Sequence, residues 1–405
     1  MLKPEKRPLP IRIYNQLAGL IGVGNGLSFD KLLKKAQKNT GLSDLGADFS
    51  EIALKLLLTS INDEANLNPF GTLMIREKLI SQLENRLWAE HWFKKYPEIL
   101  DQEVLPIVVI TGLQRTGTTK MQRILSGFPG ARALLSWEAL YPAPIGAESE
   151  ISKRQRRTRR NERAVKWISP AFHSIHPIHT DQPEEDVLLL DLHFMSTSSE
   201  AIMHVPSYAK WLGNQDHTDA YMYEKKLLKL LQWQRTGKFW VLKSPHHLQY
   251  LDVFMKVFPG STIIWMHRSI EESVPSFFSM LYYSRNMFVD EVDKNALKDQ
   301  WLSKLEDMVR EGLKFKQHAP DKIMDIAFAD FMQSETDVLS RIVNQMAPGL
   351  DLAELIMVDD QENKYVSNHR YRLSDWNLTE EELRLRFGEY SRELEILNTS
   401  FNSNE

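Results

Sequence analysis

The sequence predicts an α/β fold in which a central parallel sheet is flanked by helices and preceded by a helical N-terminal region. After residue 104, short runs of apolar and β-branched residues recur, and helical periodicity follows most of them. Such alternation builds parallel sheets through right-handed crossovers. Before residue 105 only helical periodicity is found. We therefore divide the chain into a helical region over residues 1–104, packed on the core, and an α/β domain over residues 105–398.

The composition excludes several classes of protein. The chain has 405 residues and no cysteine, so disulfides, cysteine-ligated metals and thiol nucleophiles are ruled out. The net charge of −4 provides no global field for recruiting nucleic acid. No apolar run approaches the ~20 residues that span a bilayer, and the first residues lack the apolar core of a secretory signal. We expect a cytoplasmic protein with at most peripheral membrane contact.

In the N-terminal region, amphipathic patterns predict helices over residues 29–38, 49–61 and 70–95. The longest pattern carries a stripe of leucine and aromatic side chains. A stripe of this kind is typical of a packed core rather than of a ligand site.

The most informative stretch, residues 105–125, reads LPIVVITGLQRTGTTKMQRIL. An apolar run up to Thr111 predicts a buried strand, Gly112 ends it, and a helical pattern begins at Thr118 after Gly117. A strand, a glycine-bounded loop and a helix start form an anion site, because backbone N–H groups without helical partners point into the loop.

This loop departs from the P-loop of nucleoside triphosphatases. The GxxxxG spacing is present, but Thr118 stands where the lysine should be, and Thr119 follows it. A basic residue lies instead inside the loop, as Arg115. The loop is therefore suited to one phosphate with an adjacent anionic group rather than to a magnesium triphosphate.

Further strands are predicted over residues 132–136, 239–243, 261–267 and 322–328, and further helices over 290–318, 335–346 and 380–397. The carboxyl ends of parallel strands share one edge of a sheet, where functional groups collect. We therefore expect the segments 112–118, 243–247 and 268–276 to face one crevice.

These segments carry charges for two separate anions. Arg115, with the hydroxyls of Thr118 and Thr119, suits a 5′-phosphate. Arg268 at a strand end and Ser276 in the next helix suit a second phosphate, and Lys243 lies between. The pattern describes a nucleotide with phosphates at two places and a transferable anionic group at one of them.

Two other segments attract attention. Residues 153–163, KRQRRTRRNER, place seven basic side chains on eleven positions. This segment is either a solvated helix face or a binding surface for an anionic substrate or an anionic membrane. The imidazoles of His173, His176 and His179 suggest a metal site, but Pro177 interrupts the helix that would align them. We predict no metal.

The order and spacing of several motifs resemble the sulfotransferases that use 3′-phosphoadenosine 5′-phosphosulfate (PAPS), particularly their bacterial-type branch. The resemblance covers roughly residues 105–395. It rests on QRTGTT at 114–119, WE at 137–138, PEED at 183–186, LKSPHHL at 242–248, FPGSTIIWMHR at 258–268, and Ser276.

The resemblance implies a P-loop-kinase-like three-layer fold and a role for each matching residue. Those expected to hold the 5′-phosphate and sulfonate are Arg115, Thr116, Gly117, Thr118 and Thr119. Arg268 and Ser276 are expected to bind the 3′-phosphate. Lys243 resembles the lysine that bridges to the sulfonate. PAPS is the expected co-substrate, and no metal is required.

The base that deprotonates the acceptor hydroxyl is left open by the sequence. Glu138, shortly after the loop, and His247, after the lysine, are the leading candidates by resemblance. His246, His179 and Glu185 are further candidates. The expected acceptor is a small, lipophilic hydroxyl compound, although a carbohydrate or amine is not excluded.

Two rival interpretations belong to other classes. A P-loop nucleotide or small-molecule kinase predicts a lysine at position 118 and a need for magnesium. A nucleic-acid-binding protein would use the basic segments 153–163 and 364–372 and would bind with strong salt dependence; we expect no nucleic-acid partner. The sequence leaves open whether the chain forms a homo-oligomer.

Overall fold

The structure, a computed structural model, describes residues 4–20, 26–146, 151–346 and 371–402. Most of the second basic segment, residues 364–370, lies outside them. Within the described residues no helix is long and apolar enough to cross a membrane.

A parallel sheet of five strands forms the centre of the molecule. The strands are β1 (Ile107–Thr111), β2 (Ala131–Ala133), β3 (Phe239–Lys243), β4 (Thr262–His267) and β5 (Ile323–Ala327). Their order across the sheet is β2-β3-β1-β4-β5, and every neighbouring pair is parallel. The predicted α/β class is thereby confirmed. The central strand, β1, carries the glycine-bounded loop at its carboxyl end.

Helices cover both faces of the sheet. Before β1 lie α1 (Leu9–Leu20), α2 (Phe29–Thr40), α3 (Glu51–Glu64), α4 (Pro69–Lys95) and α5 (Glu98–Asp101). Between β1 and β3 lie α6 (Thr118–Ser126), α7 (Ser136–Leu140), α8 (Ile151–Ile168), α9 (Pro170–Ile175), α10 (Val187–Leu190), α11 (Ser198–Ile202), α12 (Pro206–Leu212) and α13 (Thr218–Gln234). After β3 come α14 (Leu251–Val257), α15 (Ile270–Asn286), α16 (Lys294–His318), α17 (Phe328–Gln333), α18 (Glu335–Met346), α19 (Glu380–Arg386) and α20 (Gly388–Asn402).

Alternate residues of β1 enter two different hydrophobic clusters. Val109 belongs to a large cluster on one face of the sheet, which also contains side chains of the N-terminal helices such as Leu83. Val108 and Ile110 belong to a smaller cluster on the other face, together with residues of α6 and α18. Because successive side chains of a strand point to opposite faces, this sorting places the sheet between two helical layers.

The N-terminal helices share the main core. Leu83 and Trp92 of α4 lie in the same buried cluster as Leu228 of α13 and Trp240 of β3. The three helices predicted in this region are present as α2, α3 and α4, and α1 is an additional helix. The placement of a boundary at residue 104 stays a prediction.

Two predicted elements differ from the structure. The last helix is divided into α19 and α20, because the chain leaves helical geometry at Phe387, before the poor helix former Gly388. The predicted strand 132–136 shortens to β2, since Ser136 already begins α7. A 3₁₀ turn over Pro245–Gln249 follows β3.

Candidate active site

The loop after β1 depends on its two glycines. Gly112 has φ 139°, and a Cβ there would lie 2.4 Å from the carbonyl oxygen of Met266 in β4. Gly117 has φ 91°, and a Cβ there would lie 2.5 Å from the ring of Phe328. The backbone therefore approaches its neighbours more closely than any side chain would allow. The helix α6 begins directly after Gly117.

Arg115 is the centre of the loop. It is a non-glycine residue with φ 70°, a left-handed conformation that is uncommon and concentrated at functional sites. Its Nε donates to Oγ of Ser276 at 3.1 Å, and its Nη1 donates to the carbonyl oxygen of Ile175 at 3.2 Å. Burial, together with the charge of Arg268, lowers the pKa of Arg115. A buried, ordered guanidinium is a strong ligand for an anion.

Arg268 meets the same loop from β4. Its Nη1 donates to the carbonyl oxygen of Arg115 at 3.2 Å. Its Nε and Nη2 lie 2.8 and 2.7 Å from Oε2 of Glu272, and its guanidinium stands 4.5 Å from the centre of the Phe328 ring. Arg115, Arg268 and Ser276, which are far apart in sequence, are thus brought together.

Two small cavities adjoin at this place. The first, of about 190 Å³, is lined by Gln114, Arg115, Gly117, Thr118, Thr119, His176, Glu185, Pro245, Arg268, Met280 and Phe328. The second, of about 170 Å³, is lined by Arg115, Thr119, Arg123, Ser136, Ser174, Ile175, His176, Pro177, His179, Gln182, Pro183, Glu184 and Lys243. Sites for whole drug-sized ligands span roughly 300–1,000 Å³, so each cavity suits a charged group rather than an entire nucleotide.

The loop threonines are used in different ways. Thr118 and Thr119 line the first cavity, and Thr119 also lines the second. The hydroxyl of Thr116 is buried and donates to the carbonyl oxygen of Leu113 at 2.7 Å. Its hydroxyl therefore holds the loop in shape, and the expected role of Thr116 toward the 5′-phosphate and sulfonate stays a prediction.

Lys243 ends β3 beside the cavities. Its side chain is 2% exposed, and its Nζ donates to Oε1 of Glu185 at 2.6 Å. The hydroxyl of Thr111, at the end of β1, donates to the carbonyl oxygen of Ser244 at 3.0 Å and ties the two strand ends together. Lys243 lines the second cavity and Glu185 the first, so their ion pair stands between the two.

Glu138 is buried and forms ion pairs outside the two cavities. Its carboxylate accepts from Arg132 at 2.7 and 2.8 Å, from Arg235 at 2.9 and 3.2 Å, and from the backbone N–H of Leu135 at 3.0 Å. Burial raises its pKa, but the two arginines outweigh this effect and hold the pKa below its ordinary value. Glu138 lines neither cavity. This placement favours a structural ion pair over the role of base.

The two histidines after Lys243 are also enclosed. His247 is fully buried, with Nε2 2.9 Å from Oδ2 of Asp186 and Nδ1 2.8 Å from the hydroxyl of Tyr221. His246 is buried beside it, and burial lowers its pKa well below the ordinary value. Neither imidazole lines either cavity. Their positions favour a structural role beneath the site.

A buried acidic cluster lies behind Lys243. Single ligand atoms of Asp186, Glu224 and His247 lie within 4.8 Å of one another, a spacing compatible with a metal ion. Burial and the nearby Asp186 raise the pKa of Glu224 well above its ordinary value. The raised pKa favours the protonated form of Glu224 beside the Asp186 carboxylate.

His176 is the site residue whose position the sequence did not reveal. It lines both cavities, whereas the sequence marked it only as one of three histidines considered for a metal. Burial lowers its pKa despite the opposing charges of Glu184 and Glu185, which favours the neutral imidazole. The one available signal was its position ahead of the PEED motif. His179 lines the second cavity.

The chain was compared with known proteins. A family model described as Sulfotransferase family matches residues 106–353. The crystal structure of sulfotransferase STF1 from Mycobacterium tuberculosis H37Rv is similar at 28% identity and a TM-score of 0.77, covering 90% of this chain and 99% of that one. The crystal structure of sulfotransferase STF9 from Mycobacterium avium is similar at 25% identity and a TM-score of 0.79, covering 90% and 96%. No curated protein matches the chain.

These similarities fall on the sheet and loop described above. The family match begins one residue before β1 and includes the other four strands. Both crystal structures are similar over nine tenths of this chain, which confirms the P-loop-kinase-like arrangement of the sheet and its helices. The chain is a transferase enzyme and belongs to the Sulfotransferase family.

Proposed function

We propose that this sulfotransferase moves a sulfonate from PAPS to a hydroxyl of a small, lipophilic acceptor by in-line transfer. The observation that carries the proposal is that Arg115 is hydrogen-bonded to both Ser276 and Arg268 at the carboxyl ends of the central strands. A nucleotide with one phosphate would use only part of this arrangement.

The donor is assigned to the cavities as follows. The N-terminus of α6, with Thr118, Thr119 and Arg115, holds the 5′-phosphate and sulfonate, since unpaired N–H groups and the helix dipole favour an anion there. Arg268, which lines the first cavity, and Ser276, which lines neither cavity but accepts a hydrogen bond from Arg115, are assigned to the 3′-phosphate. Glu272, which pairs with Arg268 in this structure, is largely exposed, so the phosphate displaces it at little cost.

We assign Lys243 the role of stabilising the negative charge that develops during sulfonate transfer. The bond between sulfur and the bridging oxygen breaks, and a bond forms between sulfur and the acceptor oxygen. The electron pair of the broken bond stays on the 5′-phosphate of the departing nucleotide. An ammonium group fixed at the end of β3, almost without exposure to water, stabilises this charge strongly.

We assign Glu185 as the base that takes the proton of the acceptor hydroxyl. Among the five candidates that the sequence suggested, Glu185 and His179 line a cavity, whereas Glu138, His246 and His247 do not. Glu185 also contacts Lys243. When the sulfonate draws the ammonium group away, the carboxylate becomes free to accept a proton. His176, whose lowered pKa favours the neutral imidazole and which lines both cavities, is the competing candidate.

The lining of the first cavity supports a lipophilic acceptor. Met280 and Phe328 add apolar surface to the first cavity. The aromatic residues that follow Ser276 do not contribute, because Phe277 and Phe278 are buried in the main core. Apolar surface beside a hydroxyl-activating group suits an alcohol with a hydrocarbon body.

Nucleotide binding tests the proposal. The desulfated product, adenosine 3′,5′-bisphosphate (PAP), and ATP with magnesium are titrated separately by calorimetry. We expect PAP to bind without a divalent cation and more tightly than ATP. Binding of ATP without binding of PAP would instead support a kinase. Transfer is then followed by mass shift, with PAPS and a set of hydroxylated lipophilic compounds, with and without a chelator.

A further inference from the structure

The N-terminal helix α1 exposes an apolar stripe. Leu9, Ile13, Leu17 and Leu20 are exposed by 60, 46, 59 and 83%. At 3.6 residues per turn these four side chains fall within an arc of about 80°. The opposite side of the helix is buried through Ile11 and Ala18. A stripe of large aliphatic side chains on a helix already seated on the protein indicates a surface for another partner.

The helix is held firmly in this orientation. Oδ1 of Asn15 accepts from the backbone N–H of Phe70 at 2.8 Å. Just before the helix, Nη1 of Arg7 pairs with Asp290 at 2.7 Å, and Oε1 of Glu5 accepts from the backbone N–H of Ala171 at 2.8 Å. These contacts fix both the position of α1 and its rotation about its own axis. The apolar stripe is therefore held facing away from the protein.

A second exposed face, which is basic, lies on α8, and α1 approaches this helix through its buried side. Ile11 of α1 packs against Ile168, at the end of α8, in a small buried cluster. On α8 itself, Arg156, Arg160, Arg163 and Trp167 fall within an arc of about 60°, and all four are exposed. In the described part of the chain, Arg156, Arg160, Arg163 and Lys166 form no ion pair with a carboxylate; by contrast, Arg159 pairs with Asp181.

We propose that α1 and the outer face of α8 together form a docking surface for an anionic lipid bilayer. Apolar side chains that enter the boundary between headgroups and acyl chains, beside arginines at the headgroups, are the composition of interfacial helices. Trp167, 53% exposed, is of the residue type that prefers this boundary. The complementary charge selects lipid over a second copy of the chain, since an isologous contact would bring the same arginines together.

The surface lies close to the candidate active site. The short helix α9 connects α8 to Ile175, whose carbonyl oxygen accepts from Arg115. His176, which lines both cavities, follows directly. Under the proposed function, a bilayer at this surface would bring a lipophilic acceptor near the sulfonate. The docking itself does not depend on that function.

Vesicle sedimentation with the full chain tests the proposal. Vesicles of phosphatidylcholine alone are compared with vesicles of phosphatidylcholine and phosphatidylglycerol in equal parts. We expect binding to the anionic vesicles, which salt weakens, and little binding to the neutral ones. Arg160→Gln with Arg163→Gln should weaken binding by about 25-fold, from roughly fivefold for each basic residue at such a surface. Ile13→Gln with Leu17→Gln should also weaken it.

Matched control variants replace exposed apolar and basic side chains outside the proposed docking surface. Leu385→Gln, in the exposed part of α19, and Arg310→Gln with Lys314→Gln, on α16, should bind like the wild type. Equal binding to neutral and anionic vesicles, or equal losses in the controls, would overturn the proposal. So would a dimer in light scattering that Ile13→Gln with Leu17→Gln disrupts while no vesicle binds, because the stripe would then serve a second copy. Unfolding midpoints in urea check that each variant is folded. None of these outcomes depends on sulfonate transfer.

Discussion

Lys243 and Glu185 form an ion pair of 2.6 Å between the two cavities of the candidate active site. Glu185 immediately precedes Asp186, whose backbone N–H lies 3.4 Å from the carbonyl oxygen of Lys243. The two charged residues are therefore fixed to each other through main chain as well as side chain. In the proposed reaction, the sulfonate competes with Glu185 for the ammonium group of Lys243.

Replacing Lys243 with Met should lower kcat by about 10²–10³-fold, the cost of losing one group that stabilises developing charge. The affinity for PAP should change little, because the phosphates are held by other residues. Lys229→Met is the control: Lys229 of α13 donates to the backbone carbonyl oxygen of Leu100 in α5, and it lines neither cavity. A large loss of PAP affinity with unchanged kcat would remove Lys243 from this role. Steady-state kinetics and calorimetry distinguish the two results.

Glu185→Gln should lower kcat by about 10²–10⁴-fold if the carboxylate is the base. His176→Gln should have a smaller effect and should leave the acidic limb of the pH–rate profile in place. The reverse pattern would transfer the role of base to His176. Both variants are measured across the pH range with saturating PAPS.

Arg268→Ala should weaken PAP binding by about 1.5–3 kcal/mol, the range for a hydrogen bond to a charged group. Binding of a nucleotide that lacks the 3′-phosphate should be affected much less. Arg384→Ala serves as control, since Arg384 of α19 pairs with Glu271 of α15, next to Glu272, but lines neither cavity. Calorimetry with PAP that shows unchanged affinity in Arg268→Ala would exclude the assigned 3′-phosphate site.

Glu138→Gln should destabilise the fold by about 3–5 kcal/mol, because Arg132 would keep its buried charge without its partner. Glu77→Gln, at an exposed pair with Arg76, should cost about 1 kcal/mol at most. Urea unfolding measures both. If Glu138→Gln were as stable as the wild type yet inactive, the carboxylate would act in catalysis after all.

Glu224 should give stability a particular pH dependence. Burial raises its pKa in the folded state well above the ordinary 4.5, so above that pH the folded state holds a proton that the unfolded state has released. The contribution of Glu224 is therefore fully present below pH 4.5 and falls as pH rises toward the folded-state pKa, by about 1.4 kcal/mol per pH unit. Glu224→Gln should lack this decline. The free energy of unfolding of both proteins, measured between pH 5 and 8, checks this prediction. An equal pH dependence in the two proteins would contradict it.

The sequence predicted the parts of the site that local patterns encode. The loop around Arg115 was visible because a strand, two glycines and a helix start lie within one short stretch. Arg268 and Ser276 were recognisable by their place after a strand and within the next helix. Their contact with Arg115 rests on the topology of parallel strands, which the alternation of elements implies.

The base was not predictable in the same way. Glu138 follows the loop closely in sequence, yet Arg132 and Arg235 bind it, and Arg235 comes from the end of α13, nearly one hundred positions later. The burial of His247 likewise depends on Asp186 and Tyr221 from other parts of the chain. Such long-range pairing leaves no periodic or local signal, so spacing alone could not separate Glu138 and His247 from Glu185 as candidates for the base.

The hydrogen bonds of Arg115 have a consequence for selectivity. Its guanidinium reaches Ser276 on the side assigned to the 3′-phosphate, and its carbonyl oxygen holds Arg268, while its side chain lines both cavities. Occupation of one phosphate position would therefore order the residue that serves the other, and such a coupling free energy is reciprocal. Adenosine 5′-phosphosulfate, which lacks the 3′-phosphate, would lose this cooperation as well as its own missing contacts. Discrimination between the two donors would then exceed the sum of the individual hydrogen bonds.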